Sequence, residues 1–188
     1  MLNRVDNEST DDSTDDKTDR ANTGKANTEQ PSHVHNAHEG KLLNVGSLQL
    51  TIKATGGETD GRFTLVEITV PPYFSDAWPH FHQQTTESIY LLQGMLAVTL
   101  GEETMVVRQG AVIVVPPYQV HRFWNPTAIP ATYLAFFTPA GSEEYFEALA
   151  EVGQTEATWP PSDLARLLNL GMAYDHFPAA SSISTEQA

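Results

Sequence analysis

Two stretches of the chain carry histidine and glutamate residues at spacings that could bind a metal ion. Residues 79–94, PHFHQQTTESIYLLQG, contain His80, His82 and Glu87. Residues 32–40, SHVHNAHEG, contain a second His-x-His pair that is also followed by a glutamate. Imidazole nitrogens and carboxylate oxygens suit octahedral or five-coordinate transition metals. Both stretches therefore have the right donors, and only their surroundings can distinguish them.

The first stretch has the pattern of two β-strands joined by a polar bend. Side chains two residues apart on a strand point to the same face, so His80 and His82 project side by side while Phe81 points away. Glu87 is five positions beyond His82 and would face the wrong way on an unbroken strand. The intervening QQTT predicts a bend or bulge that corrects this parity, and Gly94 permits the turn after the second strand.

A third imidazole comes from residues 110–125, GAVIVVPPYQVHRFWN. AVIVV predicts a buried strand, two prolines end it, and His121 opens the next strand. If that strand pairs antiparallel beside the first, His121 can reach the same cavity. Three histidines and one glutamate favour Fe, Mn, Ni, Co or Cu over Zn and leave positions open for water or substrate.

The order and spacing of these residues resemble the two-part motif of the cupins. That motif reads Gly-x5-His-x-His-x3–4-Glu-x6-Gly, then Gly-x5-Pro-x-Gly-x2-His-x3-Asn. The matching segments of this chain are His80-x-His82-x4-Glu87-x6-Gly94, Gly110-x5-Pro116 and His121-x3-Asn125. The resemblance implies a small antiparallel jelly-roll barrel with one divalent transition metal in its mouth. It also implies the four metal ligands, which are His80, His82, Glu87 and His121.

Two positions depart from the cupin motif. Phe74 stands where the first part begins with glycine, and Tyr118 replaces the glycine of the second part. Neither position provides a ligand, so both changes concern turn geometry and access to the cavity. By strand parity, Ile89 and Leu91 share the face of Glu87, and Phe123 shares the face of His121. An alternative interpretation is that these three side chains belong to the ordinary barrel core. We predict that the substrate pocket is lined by Ile89, Leu91, Phe123 and Tyr118.

The surrounding sequence predicts an all-β domain over residues 41–140. Short runs rich in Val, Ile, Leu, Thr and aromatic residues alternate there with turns rich in Gly, Pro and Asn. Residues 141–178 shift to a helical period and predict two short amphipathic helices. We expect Ser142 and Ser162 to be their N-caps and Gly171 to close the second helix.

Both ends of the chain are polar. Residues 1–40 contain almost no large apolar side chain and predict a disordered acidic tail, and residues 179–188 predict a flexible terminus. The tail cluster has no strand to hold two imidazoles on one face, so binding would have to overcome the full ordering entropy. We therefore expect only adventitious metal binding by His33, His35, His38 and Glu39. His176, near the other end, is predicted to be structural or exposed.

Composition excludes several classes of function. The 188 residues carry a formal charge of −14, which disfavours nucleic acid and anionic membranes as partners. The acidity indicates either ordinary solubility or adaptation to high salt. No cysteine is present, so thiolate metal sites, disulfides and a cysteine nucleophile are excluded. The polar N-terminus and the absence of a long apolar run predict a cytoplasmic protein.

The cupin resemblance implies a metal-dependent protein with a small-molecule partner. The predicted C-terminal helices resemble those of flavonol (quercetin) dioxygenases. The favoured hypothesis is a mononuclear dioxygenase acting on a flavonol-like or enol-like substrate, with Glu87 doubling as general base. The alternatives are an isomerase, lyase or polyketide-type cyclase on the same site, and a non-catalytic small-molecule-binding cupin. Apolar strands such as YLAFFTP predict a homodimer.

Overall fold

The computed structural model describes residues 31–37, 39–156 and 159–179. Most of the predicted disordered tail, and all but the first residue of the predicted flexible terminus, lie outside these residues. The described strands are β1 (Lys41–Val45), β2 (Leu48–Ala54), β3 (Thr64–Val70), β4 (His80–Phe81), β5 (Thr86–Gln93), β6 (Met95–Leu100), β7 (Glu103–Arg108), β8 (Val112–Val115), β9 (His121–Trp124), β10 (Ala131–Thr138) and β11 (Phe177–Pro178). Two helices follow β10, namely α1 (Ser142–Thr155) and α2 (Leu164–Ala173).

The strands form two antiparallel sheets. The first has six strands in the order β1-β2-β3-β10-β5-β8, and the second has five in the order β11-β4-β9-β6-β7. Neighbours in the second sheet are also antiparallel. The prediction of an all-β jelly-roll barrel with two C-terminal helices is thereby confirmed.

Alternation along the strands places the hydrophobic core between the sheets. In β3 every second side chain is buried, from Thr64 to Val70, and β10 alternates in the same way from Ala131 to Phe137. Each fully buried Val, Leu, Ile or Phe contributes about 1.5–3 kcal/mol through the area it removes from water. The core is continuous with Phe146 and Ala150 of α1, so this helix packs on the barrel.

The helix ends differ from the prediction. Gly141, not Ser142, is the N-cap of α1, with a φ of 130° that favours glycine. Asp163, not Ser162, caps α2, and its side chain accepts a hydrogen bond from the Arg166 backbone N–H. In both cases residue propensity favoured a serine. The N-cap is instead the residue before Ser142 in α1 and the residue after Ser162 in α2. Helix α2 also continues past Gly171 to Ala173. Neither described helix is long and apolar enough to cross a membrane.

Candidate metal centre

The four predicted ligands come from both sheets and meet at one end of the barrel. Strands β4 and β9 pair antiparallel, with His80 opposite His121. The centroids of these two imidazole rings are 4.1 Å apart. Glu87 reaches the same point from β5 of the other sheet. The candidate ligand atoms of these residues and of His82 all lie within 4.8 Å of one another. The predicted antiparallel pairing is therefore what brings the third imidazole to the first two.

The QQTT segment bends the chain as the sequence predicts. The strand β4 ends at Phe81, and residues 83–84 form a bend before β5 begins at Thr86. Glu87 is 5% exposed, and its neighbours on β5 are only partly buried, so its side chain has the inward parity. Phe81 points away from the ligands and stacks on Phe177, with ring centroids 5.5 Å apart.

Each ligand imidazole is oriented by a backbone carbonyl. The Nδ1 of His80 lies 3.0 Å from the Trp78 oxygen, and the Nδ1 of His121 lies 3.0 Å from the Gln119 oxygen. The Nδ1 of His82 lies 2.7 Å from a backbone oxygen of the C-terminal segment. Because a carbonyl only accepts, each Nδ1 carries the proton and each Nε2 is left for the centre. Metal-ligating histidines are held in this way.

The unused nitrogens converge on Glu87. Its Oε2 lies 3.0 Å from the His121 Nε2 and 3.5 Å from the His82 Nε2. The second distance is too long for a hydrogen bond, and the His82 Nε2 is buried with no hydrogen-bond partner among the described residues. An orphaned nitrogen beside a carboxylate, within a set of N and O donors, fits a transition-metal ion.

The site holds one carboxylate charge in a buried place. Burial opposes ionisation of Glu87, but the His121 and His82 imidazoles outweigh it and hold the pKa of this carboxyl well below its ordinary value. Burial also opposes protonation of His82, yet the Glu87 carboxylate raises the pKa of this imidazole. Burial and the neighbouring His121 keep the pKa of His80 well below its ordinary value. Glu87 is therefore ionised, and its carboxylate favours the protonated form of His82.

A cavity of about 210 Å³ opens beside His80 and Glu87. Its wall is apolar and rich in aromatic rings, and no lysine or arginine is among the described residues that line it. The aromatic lining residues are Phe74, Trp78, Phe123, Tyr133, Phe137, Tyr145, Phe146 and Trp159. Burial raises the pKa of Tyr145 to about 12, and burial together with the Glu87 carboxylate raises the pKa of Tyr133 further. Both phenols are therefore neutral groups that can donate a hydrogen bond.

The four residues predicted to line the pocket occupy three different environments. Phe123 lines the cavity. Ile89 and Leu91 are fully buried in the core and are not among the residues that line this cavity. Tyr118 is 69% exposed at a φ of 66°, and its ring stacks on Phe81 outside the site. Its backbone N–H, not its ring, is the part near the ligands, because it donates to the His82 carbonyl at 2.6 Å.

The structure adds His176, which the sequence interpretation placed among structural or exposed residues. Its ring stacks on Tyr145 at a centroid distance of 3.8 Å and meets His82 edge-on at 4.4 Å. It also lines the cavity. Burial, with His82 nearby, lowers the pKa of His176 to about 3, so this imidazole is neutral. The only local signal was a histidine beside an acid and a proline in AYDHFP.

The tail cluster is arranged differently. His35 Nε2 lies 3.0 Å and His33 Nδ1 3.6 Å from the Glu58 Oε1, and both histidines are partly exposed. Glu39 instead accepts a hydrogen bond from the Asn36 backbone at 2.7 Å. His38 is outside the described residues. His33 and His35 therefore meet at Glu58, whereas Glu39 is bound to Asn36 and does not join them.

Comparison with known proteins agrees with this geometry. Residues 66–137, which contain all four candidate ligands, match the family described as Cupin domain. The similarity to a cupin domain therefore covers the central strands of the barrel, β4 to β9, with most of β3 and β10. No curated protein sequence matches the chain.

Solved structures share the cupin fold at low identity. KdgF from a Halomonas species is 20% identical with a TM-score of 0.52, over 61% of this chain and 99% of that one. A predicted oxalate decarboxylase from Thermotoga maritima is 14% identical with a TM-score of 0.53, over 57% of this chain and 99% of that one. An RmlC-like cupin from Shewanella frigidimarina is 19% identical with a TM-score of 0.52, over 61% of this chain and 97% of that one. Likeness at this level concerns the fold alone.

Proposed function

We propose that the protein is a metal-dependent cupin enzyme that converts a small oxygenated organic molecule in the barrel. The favoured reaction is that of a mononuclear transition-metal dioxygenase. The observation that carries the proposal is the placement of His80 and Glu87 in the wall of an apolar, aromatic cavity without a cationic side chain. A substrate in that cavity lies against the metal ligands and away from bulk water.

The metal would be held by His80, His82, Glu87 and His121. A divalent Fe, Mn, Ni, Co or Cu ion there would supply a Lewis acid that polarises substrate oxygens and lowers the pKa of an enol or hydroxyl group. The protein contributes the fixed orientation of the imidazoles through their backbone carbonyl partners. The ionised Glu87 lines the cavity and can accept the substrate's hydroxyl proton.

The cavity lining supports a particular substrate class. The described lining residues include no lysine or arginine to pair with a phosphate and few polar groups for a polyhydroxylated sugar. Aromatic side chains pack well against a planar ring. The volume of about 210 Å³ is below the range of about 300–1,000 Å³ typical of pockets for drug-sized ligands. We therefore favour a one-ring or two-ring enol or phenol over a three-ring flavonol.

A second candidate reaction is metal-assisted enolisation by an isomerase, lyase or cyclase. The observation that favours it is the neutral His176 imidazole in the cavity wall, beside the ligand cluster that contains Glu87. Two groups that can hold a proton, placed near one substrate, can move that proton between two carbon or oxygen atoms without consuming oxygen. Oxygen uptake distinguishes this reaction from the favoured one.

The test is turnover by protein loaded separately with each of the five metals. The substrates are one-ring and two-ring enols and phenols, each paired with its O-methyl ether and its phosphate ester. We expect oxygen uptake with the free enol and none with either derivative. Product formation without oxygen uptake would select the enolisation reaction. Tight binding of the enols with no product under any metal would instead identify a non-catalytic binding protein.

We also propose that the protein is a homodimer formed through the outer face of the six-stranded sheet. Val112 and Val114 on the edge strand β8 are 65% and 58% exposed, and Tyr90 on the neighbouring β5 is 43% exposed. Water-exposed apolar side chains on an edge strand favour pairing with another chain. Light scattering should give twice the chain mass for the wild type and one chain mass for Val114→Lys. Val106→Lys, 55% exposed on β7 in the other sheet, is the matched control.

A further inference from the structure

One residue of the C-terminal segment holds the bend that separates the metal ligands. The Asp175 Oδ1 accepts a hydrogen bond from the Gln83 backbone N–H at 2.8 Å. Its Oδ2 accepts from the Gln84 and Thr85 N–H groups at 3.1 and 2.9 Å. The backbone carbonyl of the same residue accepts from the Nδ1 of His82 at 2.7 Å, across 93 residues of sequence.

These four hydrogen bonds act on the part of the site that has no sheet to define it. His82 lies beyond the end of β4, and the bend at residues 83–85 precedes β5. Three successive N–H groups point at one carboxylate, so its charge fixes the direction of the chain between His82 and Glu87. This bend is what gives the Glu87 side chain its inward parity. Asp175 therefore sets both the ring orientation of one ligand and the position of another.

The segment that carries Asp175 is itself held on both sides. Strand β11 pairs with β4, with Phe177 opposite Phe81 and Pro178 opposite His80. On the other side, the Gly171 carbonyl accepts from the backbone N–H groups of Tyr174 and His176. Asp175 adopts a φ of 65°, a left-handed conformation that Asp and Asn tolerate better than most residues. The carboxylate is thus presented from a fixed backbone.

We propose that Asp175 is a positioning residue of the metal centre, and that the C-terminal segment outside the matched cupin domain sets metal affinity. The inference rests on the proposed function only in that the four ligands bind a metal. It needs no assumption about substrate or reaction. The competing explanation is that Asp175 merely anchors the C-terminal segment.

The experiment compares three variants of the full chain with Co²⁺ as the probe. Asp175→Gly removes the carboxylate, keeps the carbonyl partner of His82 and suits the left-handed backbone. Asp175→Asn keeps one acceptor oxygen but loses the charge. The matched control is Asp163→Ala, which removes a side-chain hydrogen bond that caps α2 in the same region without touching the bend. Co²⁺ affinity, the Co²⁺ absorption spectrum and the unfolding temperature are measured for each.

We expect Asp175→Gly to weaken Co²⁺ binding by about 10–100-fold, the range typical of lost partners of metal ligands, and to change the Co²⁺ spectrum. Asp175→Asn should show a smaller loss in the same direction. Asp163→Ala should bind Co²⁺ as the wild type does, even if it unfolds at a lower temperature. If Asp175→Gly does not fold, the Asn variant decides by the same criterion.

Two results overturn the inference while leaving the metal site intact. One is wild-type Co²⁺ affinity in the Asp175 variants, with faster hydrogen exchange of the amides of residues 83–85 showing that the bend has been released. The other is an equal loss of affinity in Asp163→Ala, which would show that general loosening of the C-terminal segment is responsible. If the wild type itself does not bind Co²⁺, the proposed function fails together with this inference.

Discussion

Metal binding should compete with a proton at His82. The Glu87 carboxylate, against the effect of burial, raises the pKa of His82, so this imidazole is protonated over part of the neutral range when no metal is bound. Glu87 is ionised because its pKa is well below its ordinary value, and His80 is neutral because burial keeps its pKa low. A metal must displace the His82 proton. Below the raised pKa we therefore expect displacement of this proton to make the metal affinity increase about tenfold per pH unit, or about 1.4 kcal/mol.

The assay is calorimetric titration with Ni²⁺ from pH 5.5 to 8.5, repeated in buffers with different ionisation enthalpies to count released protons. The control is His176→Gln, because the pKa of His176 is lowered to about 3, so this imidazole is neutral over the whole pH range and its protonation state does not change. It should leave the pH dependence unchanged. Affinity that is the same at pH 5.5 and 7.5, or a binding heat independent of buffer, would refute the reasoning.

The same raised pKa gives the metal-free protein the opposite pH dependence. A group whose pKa is higher in the folded state stabilises the fold at low pH. The contribution of His82 to the stability of the folded state is fully present below its pKa of about 6.5 in the unfolded chain. It is lost as the pH rises through the raised pKa that His82 has in the folded state. Adding metal should therefore stabilise the protein more at pH 8 than at pH 6.

Three further changes test the packing around the site. Glu143→Gln should lower the free energy of unfolding in urea by about 2–4 kcal/mol, because this carboxylate accepts hydrogen bonds from two backbone amides and a threonine hydroxyl. The control Glu144→Gln changes an exposed side chain and should stay within about 0.5 kcal/mol of the wild type. Gly94→Ala should destabilise the protein more than Gly110→Ala in the same assay. Both glycines have a positive φ, but only at Gly94 would a Cβ lie 2.7 Å from a backbone carbonyl oxygen. Equal losses of stability would show that this close contact is not responsible. Phe146→Ala should cost about 3–5 kcal/mol and enlarge the cavity, and a loss below about 1 kcal/mol would show that this ring does not support its wall.

The grouping of the four candidate ligands could be predicted because its geometry is local. His80 and His82 share a face by strand parity, the polar QQTT segment allows the bend, and one antiparallel pairing brings His121 opposite His80. Each step depends on spacing within a strand or between neighbouring strands. The all-β barrel and the two helices were predictable for a similar reason, since their periods of alternation are visible in the sequence, while the jelly-roll arrangement was implied by the cupin resemblance.

The partners of the ligands were not predictable, since they depend on tertiary contacts. Asp175 and His176 reach the site only because β11 pairs with β4, and a two-residue strand leaves no periodic pattern. The helix caps show the same limit. At the start of α1 the Glu143 carboxylate accepts from the Gly141 N–H and from the Gly56 N–H of the barrel, and the second contact joins residues 87 positions apart. The pocket depends in addition on α1 and α2, so strand parity alone could not separate lining residues from core.

The most direct test of the metal centre is elemental analysis of the purified full chain, with His82→Ala, Glu87→Ala and the tail variant His35→Ala prepared in parallel. We predict about one transition-metal ion per chain in the wild type and in His35→Ala, and a small fraction of that in the other two. Wild-type protein without stoichiometric transition metal, or His82→Ala with a full complement, would contradict a metal centre built on His80, His82, Glu87 and His121.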